Sequence, residues 1–177
     1  MKSKRFSPMF SNKPYTILAI DPGYERLGVG VLKKEKGKDS LIYSNCLITK
    51  KTSSHSKRLA SLGTSLKALL ETYLPNALAI EKLFFNTNQK TALLVAEVRG
   101  VILYEAGLLD IPVYEYSPGE IKVAVTGYGK SSKDQIINMV NRFLSIRKKI
   151  QYDDEYDAIA VGLTHMAVYR EANSKTL

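Results

Sequence analysis

Apolar residues run along this chain in two rhythms, as short unbroken or alternating runs and as longer stretches at helical spacing. The first short run is T-I-L-A-I, Thr16 to Ile20, which meets Asp21 before Pro22-Gly23 turns the backbone away. The pattern predicts strands over about 15–21, 27–33 and 39–48, with short turn-like links and a hairpin turn at Gly37, so that the three pair antiparallel. Leu59, Leu62, Leu66, Leu69 and Leu70 follow helical spacing and predict an amphipathic helix over 57–74, ended by Pro75. A fourth strand is expected over 76–81. Residues 89–107 are so apolar that the helix they form is expected to be buried on most sides, within the core and against a second subunit, with Gly107 as its stop. A strand over 111–116, a short helix opening at Ser117-Pro118, a break at Gly127-Tyr128-Gly129 and helices over 132–146 and 153–170 complete the chain. Three antiparallel strands and then two strands reached through helices make an α/β fold, a five-stranded mixed sheet flanked by helices. The expected organisation is one domain over 15–170, preceded by a basic arm, 1–14, and followed by a short tail, 171–177.

This pattern places acids at the ends of apolar runs. Ala77-Leu78-Ala79-Ile80 ends in Glu81 as the first run ends in Asp21, and Asp154-Glu155-Tyr156-Asp157 opens the last helix with acids at i and i+3. If the two strands are neighbours and the helix packs beside them, four carboxylates converge, and like charges gather there only around a cation. Asp153 and Asp154 compete for one place, since both meet Asp157 across a helical turn. Asp153 suits the helix N-cap, which leaves Asp154 for the cluster.

Charge adds a partner. The net charge is +9, and residues 1–58 hold thirteen of the 26 Lys/Arg but only four of the 17 Asp/Glu, leaving thirteen of each for the remainder. A polyanion is the favoured partner. Part of the excess has a second explanation, because Lys33, Lys34, Lys36 and Lys38 flank the Gly37 turn, where edge lysines discourage aggregation. One cysteine, Cys46, forbids an internal disulfide, and neither it nor His55 has the Cys/His neighbours of a zinc site. No run reaches membrane-spanning length, so a cytoplasmic protein with no membrane partner is expected.

Other motifs carry less. Gly129-Lys130-Ser131 lacks the glycine five residues upstream that a phosphate loop requires, where Ala124 stands instead. What remains is a glycine turn feeding a helix through Ser131, Ser132 and Lys133, either an anion site or a plain N-cap. Of Phe84 and Phe85, one is expected in the core and Phe84 exposed, where it could stack on an unpaired base. His165 lies eight residues beyond Asp157, about 12 Å along a helix, and reads as structural.

The segments I-L-A-I-D-P-G (17–23), A-I-E-K-L-F-F (79–85), A-E-V-R-G (96–100), P-V-Y-E-Y-S-P (112–118), G-Y-G-K-S-S-K-D-Q-I (127–136) and D-E-Y-D-A-I-A-V-G-L-T-H (154–165) together resemble the RuvC family of Holliday-junction resolvases, in matching order and spacing. The resemblance implies an RNase H-like fold, a homodimer and two divalent metal ions, normally Mg²⁺ with Mn²⁺ able to substitute. It assigns those metals to Asp21, Glu81, Asp154 and Asp157, a stacking role to Phe84 and DNA contacts to Lys122 and Lys133, with Lys130 and Arg99 as further candidate contacts. The activity implied is paired, symmetric nicking of four-way junction DNA, with a branch-migration complex as a possible partner. A related nuclease acting on RNA or on other branched DNA, and a junction-binding module that does not cut, are the alternatives. An actin-like ATPase, which would use Asp21-Pro22-Gly23 as a phosphate turn, needs a second lobe for which 177 residues leave no room.

Overall fold

The computed structural model describes residues 13–83 and 89–168, so residues 1–12 of the basic arm, the tail and Phe84 fall outside the described residues. The elements are β1 (Tyr15–Asp21), β2 (Arg26–Glu35), β3 (Lys38–Ile48), α1 (His55–Tyr73), β4 (Ala77–Glu81), α2 (Gln89–Leu108), β5 (Val113–Tyr116), α3 (Pro118–Thr126), α4 (Lys133–Phe143) and α5 (Asp153–Val168). The sheet order is β3-β2-β1-β4-β5. The first three strands pair antiparallel, whereas β1, β4 and β5 run parallel, as the hydrophobic pattern predicts.

Side chains alternate across the sheet because successive residues of a strand face opposite ways. On one face Leu18, Ile20, Leu27, Val29, Val31, Leu78 and Ile80 pack beneath α1 and α2. On the other, Ile17, Ala19, Leu32, Ala77 and Ala79 meet α3, α4 and α5. The small residues on this second face let α5 lie close to the strands. A Cβ added at Gly162 would come within 2.5 Å of Leu32 Cδ1 and 3.1 Å of Ala19 Cβ.

The hairpin between β2 and β3 turns at Lys36 and Gly37, both with positive φ (51° and 77°). This is the pair of left-handed residues a tight hairpin favours. The flanking lysines form local ion pairs, Lys33 with Glu35 and Lys34 with Asp39. Lys34 Nζ also donates to the Met166 carbonyl near the C-terminus of α5, at 2.6 Å.

Strand β2 begins one residue earlier than expected, at Arg26, and β5 two residues later, at Val113, and two helix ends also differ. Gly107 does not stop α2. It has no positive φ, the helix runs to Leu108, and the chain reverses at Asp110, φ 52°, whose neighbour Ile111 donates back to the Ala106 carbonyl. The helix expected over 132–146 ends at Phe143, because Leu144 swings into an extended conformation (φ −124°, ψ 132°) and buries its side chain in the core.

Candidate active site

The period-two geometry of the sheet decides where the strand-end acids point. Asp21 follows Ile17 and Ala19, and Glu81 follows Ala77 and Ala79, so both carboxylates lie on the α5 face. Ile20 and Ile80 are register partners on adjacent parallel strands, which sets Asp21 and Glu81 side by side at the strand ends. The third element is the N-terminus of α5, with Asp153, Asp154 and Glu155 in its first turn, where backbone N–H groups favour negative charge. Gly28, opposite Asp21 on β2, makes this approach possible: a Cβ there would lie 1.8 Å from the Asp154 carbonyl oxygen.

These acids perturb one another. Burial, followed by the charges of Glu81, Asp157 and Asp154, pushes the Asp21 carboxyl up to about 8, with Lys133 opposing. Burial and the Asp157 charge push Glu81 up to about 7 against Lys133 and Lys122. Asp157 is raised too, by burial, against its hydrogen bond to Lys133. The order of causes therefore links residues of β1, β4, α3, α4 and α5 in a single electrostatic cluster. Cys46, next to Gly28 across β3, is buried and pushed up to about 11 by desolvation and the Asp154 charge.

Lys133 and Arg26 hold the three aspartates of α5, and Lys148 pairs with Glu155. Lys133 Nζ donates to Asp157 Oδ2 at 2.7 Å and lies 3.5 Å from Asp153 Oδ2. Burial works against the ammonium, but its bond to Asp157 and that residue's charge hold it above 10.5. Arg26 Nε lies 3.0 Å from Asp154 Oδ2, a buried oxygen whose contact is ionic rather than a well-aligned hydrogen bond. Among the described residues no three carboxylates are drawn closely around one point in this arrangement. The donor chemistry nevertheless suits a hard divalent cation. Asp21, Glu81, Asp154 and Asp157 offer oxygen ligands only, and burial, then the neighbouring acids' charges, raise Asp21 and Glu81 well above the ordinary carboxylate range, a penalty that a bound cation would relieve.

The remaining candidates separate clearly. Lys122, on α3, faces Glu81 closely enough to act on its charge, and Lys130 is exposed in the turn before α4. Ser132 forms a capping box with Gln135, so its hydroxyl is spent on the helix N-terminus, while Ser131 is buried against Tyr128 and Thr126. Asp153 does not cap α5; it is the first helical residue, and its largely exposed carboxylate faces Lys133. Arg99 is not brought to the acids. It pairs with Glu115, the register partner of Ile80, on the opposite face of the sheet. His165 is fully buried, accepting or donating at both ring nitrogens to Tyr15 Oη (3.0 Å) and Tyr116 Oη (2.8 Å).

Sequence reasoning missed Arg26 and Gly28. The alternation R-L-G-V-G carried the signal, because it puts Arg26, Gly28 and Gly30 on one face of β2. A strand predicted to begin at residue 27 left Arg26 in the turn. The loop between Asp21 and β2 is itself braced: Arg58 lies 3.8 Å over the Tyr24 ring and donates to Thr49 Oγ1, which donates to the Tyr24 carbonyl.

Comparison with known proteins bears on this geometry. The family model described as crossover junction endodeoxyribonuclease RuvC matches residues 17–165. The RuvC protein of Petrotoga mobilis is 44% identical over 149 residues, covering 84% of this chain and 91% of that protein. That of Thermosipho melanesiensis is 46% identical over 146 residues, 82% and 93% of the two chains. Among solved structures, Thermus thermophilus RuvC in complex with a Holliday junction substrate superposes with a TM-score of 0.81 at 28% identity, covering 86% of this chain and 93% of that chain. A yeast mitochondrial Holliday junction resolvase shares the fold at a TM-score of 0.66 and 16% identity, over 91% and 80% of the two chains. The fold is RNase H-like.

Proposed function

The chain belongs to the RuvC family of crossover junction endodeoxyribonucleases, and from that premise we propose that it resolves four-way DNA junctions by symmetric paired nicks. The observation that carries this reading is the convergence of Asp21 and Glu81 from neighbouring strand ends with Asp154 and Asp157 from one helix turn, ringed by Lys133, Lys122 and Arg26.

Asp21, Glu81, Asp154 and Asp157 would hold two divalent ions, Mg²⁺ by preference and Mn²⁺ as a substitute, which when bound neutralise the phosphate, activate water and stabilise the leaving oxygen. Asp21, on which the charges of the other three acids all act, would be one of the residues that hold the ions. Its partial burial lowers the local dielectric and strengthens the charge interactions at the site. Lys122, Lys130 and Lys133 bind backbone phosphates, and Phe84 stacks where a strand is distorted. Lys133 sits at the first turn of α4, free at one side to exchange a carboxylate for a phosphate oxygen, since its side chain is about half exposed (45%).

Two coordinated nicks require two sites related by a two-fold axis, hence a homodimer. The surface for it is α2, where Leu93, Tyr104 and Leu108 are more than 60% exposed on an otherwise apolar helix. The deciding experiment incubates the protein with Mg²⁺ and labelled four-way junction, linear duplex, fork and RNA–DNA hybrid, and maps the nicks. Symmetric nicks confined to the junction are expected. Preferential cutting of the hybrid would identify a nuclease acting on RNA, and tight junction binding without cutting a binding module.

A further inference from the structure

Asp154 is gripped from β2 at both its backbone and its side chain. Gly28 clears the space that its carbonyl oxygen occupies, and Arg26, two residues earlier on the same strand face, reaches its carboxylate. We infer that Arg26 is a positioning residue: it fixes Asp154 Oδ2 so that Oδ1 is the oxygen offered to a metal ion, making Asp154 a one-oxygen ligand of fixed orientation. This inference rests on the reading of Asp154 as a metal ligand.

Three features support it. Asp154 Oδ2 is buried with no hydrogen-bond partner, so the ionic contact to Arg26, at 3.0 Å, is the side-chain contact that holds this oxygen. Arg26 is in turn backed by an aromatic ring, its guanidinium carbon 5.4 Å from the Tyr152 centroid, which restricts where the fork can point. The backbone under Asp154 cannot shift toward β2, because its carbonyl already fills the Cβ position of Gly28. A carboxylate held at one oxygen by a second group, on a backbone seated against a strand, has one remaining oxygen and one direction for it.

The sign of one measurement separates this role from simple electrostatics. Arg26 is a positive charge beside a cation site, so Coulomb repulsion alone predicts that removing it tightens metal binding. A positioning residue predicts the reverse. In the full-length protein without DNA, Mn²⁺ binding followed by electron paramagnetic resonance should weaken about tenfold in Arg26→Gln, the low end of what losing an outer-shell partner costs. Tyr152→Leu, which removes the backing ring and leaves both charges, should weaken it less and in the same direction. Unchanged or tighter Mn²⁺ binding in Arg26→Gln overturns the inference. If that variant does not fold by circular dichroism, unchanged binding in Tyr152→Leu overturns it. Asp154→Asn is run alongside. Mn²⁺ binding indifferent to that change rejects Asp154 as a metal ligand, and with it the inference, whereas a loss in Asp154→Asn without one in Arg26→Gln rejects only the role of Arg26.

Discussion

Lys133 Nζ donates to Asp157 Oδ2 at 2.7 Å, so the acid that α5 presents to the sheet carries a lysine from the first turn of α4 as its counter-charge. Both groups are partly exposed, which limits what the pair contributes to stability to about 1 kcal/mol or less. Lys133→Met should therefore fold, with thermal denaturation in EDTA only slightly lowered. Junction affinity, measured by gel shift, should fall and depend less steeply on salt, since one phosphate contact is lost.

Replacing any of the four clustered acids by its amide keeps shape and removes charge. Cleavage by Asp21→Asn, Glu81→Gln, Asp154→Asn or Asp157→Asn should drop at least about a hundredfold, as loss of electrostatic stabilisation at a reacting centre does. Junction affinity should hold or rise, because fewer carboxylates repel the phosphate. Asp153→Asn should be mild. Undiminished cleavage in Asp21→Asn, read from labelled junction, would reject the two-metal reading.

Protons and metal compete for the same oxygens. Asp21 and Glu81 rise from ordinary values of 3.8 and 4.5 to about 8 and about 7, so the metal-free fold binds more protons than the unfolded chain between those limits. Their contribution to stability is complete below the ordinary values and is lost as pH rises through the folded ones. In EDTA the melting temperature should fall from pH 6 to pH 9, and Mg²⁺ should reduce that fall. Calorimetric titration should show Mg²⁺ binding tightening over the same range with proton release.

His165 has the opposite sign. Burial, assisted by the Lys34 charge, lowers it from 6.5 to about 4, so the unfolded chain binds more protons in that interval. Its contribution is present above pH 6.5 and lost as pH falls toward 4. The difference in melting temperature between wild type and His165→Gln should therefore shrink on acidification. Tyr116→Phe, which removes the 2.8 Å contact to Nδ1, should cost about 1 kcal/mol without changing metal binding.

The exposed apolar edge of α2 predicts a change of assembly. Tyr104→Glu with Leu108→Glu should shift light scattering at micromolar concentration from dimer to monomer and abolish paired nicking. Wild type that is monomeric both free and on DNA would overturn the dimer.

Much of this site was readable from periodicity. The runs ending in Asp21 and Glu81 were short, apolar and bounded by turns, and alternation then fixes the face on which each acid lies. Arg26 was hidden by a one-residue error in a strand boundary, the quantity local patterns define least well. The direction of Arg99 was illegible for a different reason. On α2, apolar nearly all round, no stripe marks which side meets the sheet, so only the pairing with Glu115 reveals its direction. Gly107 was read as a helix stop on its identity, whereas the reversal is made by Asp110 three residues later.

The bond from Lys34 to the Met166 carbonyl has a mechanical meaning once Arg26 is set beside it. One strand holds α5 near both ends, Arg26 by a carboxylate in its first turn and Lys34 by a carbonyl in its last, where a cation also suits the negative end of the helix. Sliding the helix along its axis would break both holds together, so α5 is seated like a rod in two clips.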